Sequence, residues 1–214
     1  MLSTKKTVAF LQEQLVQHQE LLAQTRAALD RQKPTRIYLV GSHRCGKTTL
    51  ARWISKTYNL PLLTEVARVV LAEMEVPLDQ LRVDVDLVGK YQAEVFRRQI
   101  AEEKRHERFV SDRAFDNLAY AAEYTDVFAE IVTSDSTRTY FDDVCHRGTV
   151  FFVRPHPRLL KTDEVNKTVV WEEVVRIDSM IKLLLEQARI RYVPVADPDQ
   201  QQRQRLVEAV LGKR

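Results

Sequence analysis

At 214 residues, with a formal net charge of +3 and a pI near 8.8, the chain is long enough to bury roughly 70% of its unfolded surface around one core. That charge is too mild to require a nucleic-acid or membrane partner, and no run approaches the roughly 18 apolar residues of a membrane span. Cys45 and Cys145 are the only cysteines, so no disulfide framework is suggested.

Met1 to Asp30 is rich in Gln and charge and has no apolar h-region of the signal-peptide kind. Ser3 or Thr4 can cap a helix that runs to about Arg31, where Pro34 ends it. Val8, Leu15, Leu22 and Leu29 recur every seven residues, but His18 and Thr25 interrupt the companion positions. Such a half-apolar seam fits a helix packed along its own domain, a homo-oligomer formed through this helix, or an arm toward a substrate or partner. We therefore set residues 1–33 apart as a helical extension and residues 34–214 as the main domain.

The next stretch organises the rest of the chain. Ile37, Tyr38, Leu39 and Val40 read as a buried parallel strand, and Thr49 to Tyr58 has helical spacing. Between them, Gly41-Ser42-His43-Arg44-Cys45-Gly46-Lys47-Thr48 fits GxxxxGK[ST]. Glycines let the backbone approach an anion closely, the loop N–H groups and the helix start point at it, and Lys47 adds a mobile cation. Thr48 is placed to hold Mg²⁺ through its hydroxyl. The alternative is an ordinary glycine turn; the strand and helix on either side favour the phosphate of a bound nucleotide. Cys45 inside that loop must stay reduced, which leads us to expect a cytoplasmic setting.

Leu60 to Thr64 reads as a second strand, followed by Glu65-Val-Ala-Arg68 and helix to Met74. A carboxylate just past a strand lies on the edge where open parallel sheets bind ligands. Glu65 is thus a candidate base for an attacking hydroxyl, with Arg68 steering phosphate or substrate; its plain reading is a helix-start glutamate. Val88 to His106 follows as a long amphipathic helix on which Gln92 and Gln99 can meet a base edge or simply face solvent.

Phe109 to Ser111 looks like a central strand ending in Asp112 and Arg113. Phosphoryl transfer also needs a strand-end carboxylate to fix Mg²⁺ or its waters, and Asp112 is the candidate. Arg113 is assigned to the phosphoryl group or substrate, against a surface ion pair. Asp116 and Asn117 open a helix carrying Tyr120, set against the acceptor, and Tyr124, read as packing. Thr149 to Arg154 and Arg191 to Val195 are the last strands. Between them a basic segment with Arg154, Arg158, Lys161 and Lys167 has the charge of a water-excluding lid, or of a solvated loop. A helix from about Val170 to Ala188 follows it. After the last strand, Asp197 to Gln200 is a turn able to border adenine, and Gln201 to Leu211 is the closing helix.

GSHRCGKTTLA, TEVARVVL, SDRAFDNLAYAAEY and VRIDSMIKLLLEQARIRYVPV occur in the order found in one group of P-loop kinases. From about Thr35 to Gly212 the chain resembles the family that includes bacterial nicotinamide riboside kinase domains and their AAA-like phage relatives. It is similar, more distantly, to deoxynucleoside and thymidylate kinases. The resemblance implies an α/β P-loop NTPase sandwich with a five-stranded parallel sheet ordered 2-3-1-4-5, ATP with Mg²⁺ as cofactors, and transfer of the γ-phosphate to a hydroxyl. It implies Gly41 to Thr49 on ATP, Glu65 near the acceptor hydroxyl, Asp112 and Arg113 at metal and substrate, and Arg176 in the helix after the lid. Two features depart from the family's habit: lysines rather than arginines in KTDEVNKTVVWEE, which lack the bidentate guanidinium fork, and the bulky His43-Arg44-Cys45 in the loop.

The expectation is an ATP-dependent kinase whose partner is a small-molecule nucleoside or nucleotide acceptor bound around Arg68, Gln92, Arg113, Asn117 and Tyr120. Two alternatives stand beside it: a kinase acting on nucleic acid, and a nucleotide-binding sensor or assembly module that transfers nothing.

Overall fold

The computed structural model describes residues 12, 14–22, 35–64, 66–75, 81, 84–159 and 170–212, without the Tyr124 side chain. The chain divides into two compact units, Met1–Pro34 and Thr35–Arg214. In the first, residues 14–22 are helical, and Leu15 and Leu22 of the heptad series are exposed. Val8, Thr25 and Leu29 lie outside the described residues.

The second unit carries five strands: β1 (Arg36–Val40), β2 (Leu62–Leu63), β3 (Phe109–Ser111), β4 (Gly148–Val153) and β5 (Tyr192–Val195). Its helices are α1 (Lys47–Tyr58), α2 (Val66–Glu73), α3 (Val85–Glu103), α4 (Asp116–Tyr124), α5 (Phe128–Thr133), α6 (Asp135–Arg147), α7 (Trp171–Gln187) and α8 (Gln200–Leu211). The strands form one sheet in the order β2-β3-β1-β4-β5, and every pairing is parallel. The order and orientation are those expected. α5 and α6 occupy residues to which the sequence assigned no element; α5 is too short to show a helical period and the apolar positions of α6 are too sparse to mark a face.

Strand alternation divides the core. Ile37, Leu39, Val110, Phe151 and Val153 point to the face covered by α1 and α8, through Leu50, Ile54 and Val207. Tyr38, Val40, Phe109, Val150 and Phe152 point to the other face, against Phe96, Leu118, Tyr140, Ile177 and Ile181 of α3, α4, α6 and α7. A parallel sheet must be covered on both sides, which is why its strands read as unbroken apolar runs. The register pairs Val40 with Phe152 and Tyr38 with Ser111, so the carboxyl ends of β1, β3 and β4 lie along one edge. The chain leaves that edge into the glycine loop, Asp112-Arg113 and Arg154.

Candidate active site

The glycine loop is shaped by close approach as much as by its own turns. A Cβ on Gly41 would collide with the Val153 carbonyl and lie 3.1 Å from Cys45 Sγ, so only glycine lets β1 leave the sheet there. Arg44 (φ 55) and Gly46 (φ 90) take left-handed conformations that fold the loop back before α1 begins at Lys47.

Lys47 reaches back over this loop. Its Nζ donates to the carbonyls of Gly41 (2.6 Å) and Ser42 (2.8 Å), and lies 3.6 Å from Asp116 Oδ2. Asp116 is buried and accepts from the backbone N–H of Gly41 (3.3 Å) and Ala114 (3.0 Å). Burial pushes its carboxyl up, opposed by Lys47 and Arg113. Sequence reading placed Asp116 only as a helix opener. Its position four residues after Asp112 was the available signal; its contacts to Gly41 and Lys47 needed the fold.

The hydroxyl of Thr48 donates to Asp112 Oδ2 at 2.9 Å. The glycine-loop threonine and the strand-end acid therefore meet, although 64 residues separate them. Asp112 Oδ1 is buried with no hydrogen-bond partner among the described residues. An orphaned carboxylate oxygen beside a hydroxyl fits Mg²⁺, which takes one or two protein oxygens and fills its remaining positions with water and phosphate. Among the described residues no group of three or more His, Cys, Asp or Glu could hold a metal, so this pair is suited to a phosphate-bound cation and not to an all-protein cage.

Around the pair lie the expected acceptor residues. Arg113 is half-buried, and no carboxylate of the described residues forms an ion pair with it. Tyr120 is buried, and its OH, Ser42 Oγ and the buried Asn117 Oδ1 have no hydrogen-bond partner among the described residues. Asn117 Nδ2 donates to the Gln92 carbonyl at 2.9 Å; Gln92 thus enters the site through its backbone. Gln99, by contrast, is buried and donates to Glu103 (2.7 Å) and Ser111 (3.1 Å), so the solvent-facing reading of that residue is corrected. His43 packs against Tyr120 with ring centroids 4.7 Å apart. Burial, with Lys47, Arg113 and Arg44, pushes its imidazole down to about 3, so the ring is neutral at physiological pH and adds no further cation.

The remaining expected residues are dispersed. Thr49 and Arg68 are exposed, on α1 and α2. Arg154 is held by Asp178 of α7 (Nη2 to Oδ2, 2.6 Å) and lies 4.8 Å from the Phe152 ring centre; it is braced to the scaffold at the end of β4. Arg158 is exposed in a short turn at Pro157–Leu159. Arg176 pairs with Glu123 at 2.7 Å on the surface. Glu65, Lys161 and Lys167 lie outside the described residues.

A sheet of this order, with a glycine loop leaving its middle strand and a lysine and threonine opening the helix behind it, is a P-loop NTPase fold distantly similar to P-loop kinases. The chain belongs to the AAA domain family, whose profile matches residues 36–203. Among solved structures it is similar to a NadR protein in complex with NR, at 19% identity and a TM-score of 0.62, covering 82% of this chain and 50% of that one. It thus spans about half the length of that protein. A deoxyadenosine kinase from M. mycoides with dCMP and dCDP (16% identity, TM-score 0.58, 83% and 98% coverage) is also similar. So is a shikimate kinase from Acinetobacter baumannii in complex with shikimate (14%, TM-score 0.50, 84% and 94%). A search of curated proteins found no match.

Proposed function

We propose that this chain is an ATP-dependent phosphotransferase that moves a γ-phosphate to a hydroxyl of a nucleoside, nucleotide or related small molecule. The observation that carries the reading is the Thr48–Asp112 bond beside Lys47. It joins the loop hydroxyl to the strand-end carboxylate on the carboxyl edge, with the loop lysine the neighbouring residue of the chain, and phosphoryl transfer uses these three groups.

In this reading the loop N–H groups and Lys47 hold the β and γ oxygens, and Lys47 exchanges its carbonyl partners for phosphate. Thr48 and Asp112 hold Mg²⁺. Bound there, the ion would supply charge neutralisation to the phosphates. Arg113, unpaired by any described carboxylate, supplies a planar cation for the phosphoryl group or acceptor. Glu65, placed by its sequence position just past β2, accepts the proton of the attacking hydroxyl. The acceptor lies along Arg113, Asn117 and Tyr120; Asn117 Oδ1 and the Tyr120 OH are buried with no partner among the described residues. A small acceptor is supported by the neighbours' own ligands: NR in NadR, dCMP and dCDP in deoxyadenosine kinase, shikimate in shikimate kinase.

The test is a transfer screen with γ-labelled ATP over nucleosides, nucleotides, polyol acids, single strands and duplexes, with Lys47→Ala as blank. Label on a small molecule that disappears in the blank is the expected result. Label on oligonucleotides alone would move the assignment to a polynucleotide kinase; ATP binding with no acceptor labelled would return it to a nucleotide-binding module.

A further inference from the structure

Arg203 of α8 is among the most buried side chains of the described residues, at 1% exposure, yet it is a cation. Its Nη1 donates to the Cys45 carbonyl at 2.6 Å, and its Nε donates to the Asp197 carbonyl in the turn after β5. It forms no ion pair with a described carboxylate. The guanidinium also occupies the space a side chain at residue 46 would need, since a Cβ there would lie 2.7 Å from Nη1.

The bond to Cys45 has a directional consequence. The Cys45–Gly46 peptide is trans, as are the others of the described residues, and in a planar trans peptide the C=O and the following N–H point to opposite sides. Holding the Cys45 carbonyl against Arg203 therefore turns the Gly46 N–H away from α8. Glycine gives that peptide little steric preference of its own, because Gly46 (φ 90) tolerates either sign of φ. Something outside the loop has to fix it, and Arg203 is the group in contact.

We propose that Arg203 is a positioning residue for the nucleotide's phosphates: it pins the Cys45–Gly46 peptide from behind so that the Gly46 N–H faces the anion. Its uncancelled charge adds to the positive field of Lys47 and the loop amides. The bond to Asp197 ties this peptide to the turn after β5, so the same guanidinium sets the distance between the phosphate loop and that turn. The inference rests on the proposed binding of a nucleoside triphosphate by the loop.

The experiment compares the full chain with Arg203→Met and Arg203→Gln. Each is titrated calorimetrically with Mg-ATP and with inorganic tripolyphosphate, and melted without ligand. Tyr58→Phe is the control: it removes the 2.9 Å bond from α1 to the Gly212 carbonyl after α8 and loosens the same helix without touching the loop. Arg203→Met is expected to weaken both ligands in parallel by roughly 10- to 100-fold, the range for losing a charge-assisted hydrogen bond. Arg203→Gln, which keeps a neutral donor, is expected between Met and wild type, and Tyr58→Phe is expected to lower the melting temperature with both affinities unchanged. Wild-type affinity for tripolyphosphate in a folded Arg203 variant overturns the proposal, as does weakening of ATP alone. Equal weakening in Tyr58→Phe also overturns it, by reducing the effect to general loosening. Should the Met variant not fold, the Gln variant decides by the same criteria. Failure of the wild-type chain to bind either ligand would instead overturn the nucleotide reading beneath it.

Discussion

Asp112 accepts from Thr48 through one oxygen and leaves the other buried and unpartnered. An ionised carboxylate in that state loses hydration with no replacement until a cation arrives. Asn at this position would still accept from Thr48 but carry no charge toward Mg²⁺. Asp112→Asn is therefore expected to fold, to bind metal-free nucleotide much as wild type does, and to lose roughly 10²- to 10³-fold in turnover. Steady-state kinetics over a magnesium titration, with nucleotide binding measured in EDTA, checks this; near-normal turnover would remove Asp112 from the reaction. Thr48 and Asp112 were both readable from sequence because each sits in a short local pattern. Asp116 was readable only as a helix opener and Arg203 not at all, since their contacts to the loop span 75 and 158 residues.

Between elements, a buried polar assembly away from the loop joins β1, β3, α3 and α6 through Glu103 and Gln99. This buried carboxyl accepts from Gln99 (2.7 Å), Tyr140 (3.1 Å) and Tyr38 (3.2 Å), and burial raises it from 4.5 to about 7 despite those donors. A raised carboxyl binds its proton more tightly folded than unfolded. Its stabilising contribution is complete below pH 4.5, falls as pH rises toward 7, and is absent above it, a change of about 3 kcal/mol. Glu103→Gln keeps an acceptor for Gln99 and Tyr140 and offers a donor to Tyr38, without the titration. Denaturant melts are expected to show the variant near wild type at pH 5 and more stable than wild type at pH 8; an unchanged difference between the two pH values would refute this. Nearby, Gly148 joins α6 to β4, where a Cβ would lie 2.5 Å from the Val144 carbonyl and 2.9 Å from the Tyr38 ring. Both neighbours belong to packed elements, so Gly148→Ala is expected to cost about 1–3 kcal/mol by overpacking, read as a lowered urea midpoint.

At the scale of the molecule, a doubly covered parallel sheet was legible because β1, β3 and β4 are apolar runs that only such a sheet can bury, while the strand order came from the resemblance to P-loop kinases. Residues 125–147 resisted reading for the complementary reason: α5 buries none of its residues and α6 only Thr137, Tyr140 and Val144, too few to impose a periodicity. The N-terminal heptads gave a pattern without saying what covers it. Among the described residues, every strand, both core clusters and all the orphaned polar atoms at the phosphate loop belong to Thr35–Arg214. If the chain is divided as we propose, that unit holds the whole means of gripping a nucleotide, and changes confined to Met1–Pro34 should be additive with it. A protein beginning at Thr35 is then expected to melt in one cooperative step and to bind Mg-ATP within about 2-fold of the full chain, the tolerance for independent sites. Calorimetry of both forms measures it. A loss of tenfold or more would mean that the first unit completes the nucleotide site, and the boundary would have to be redrawn to include it.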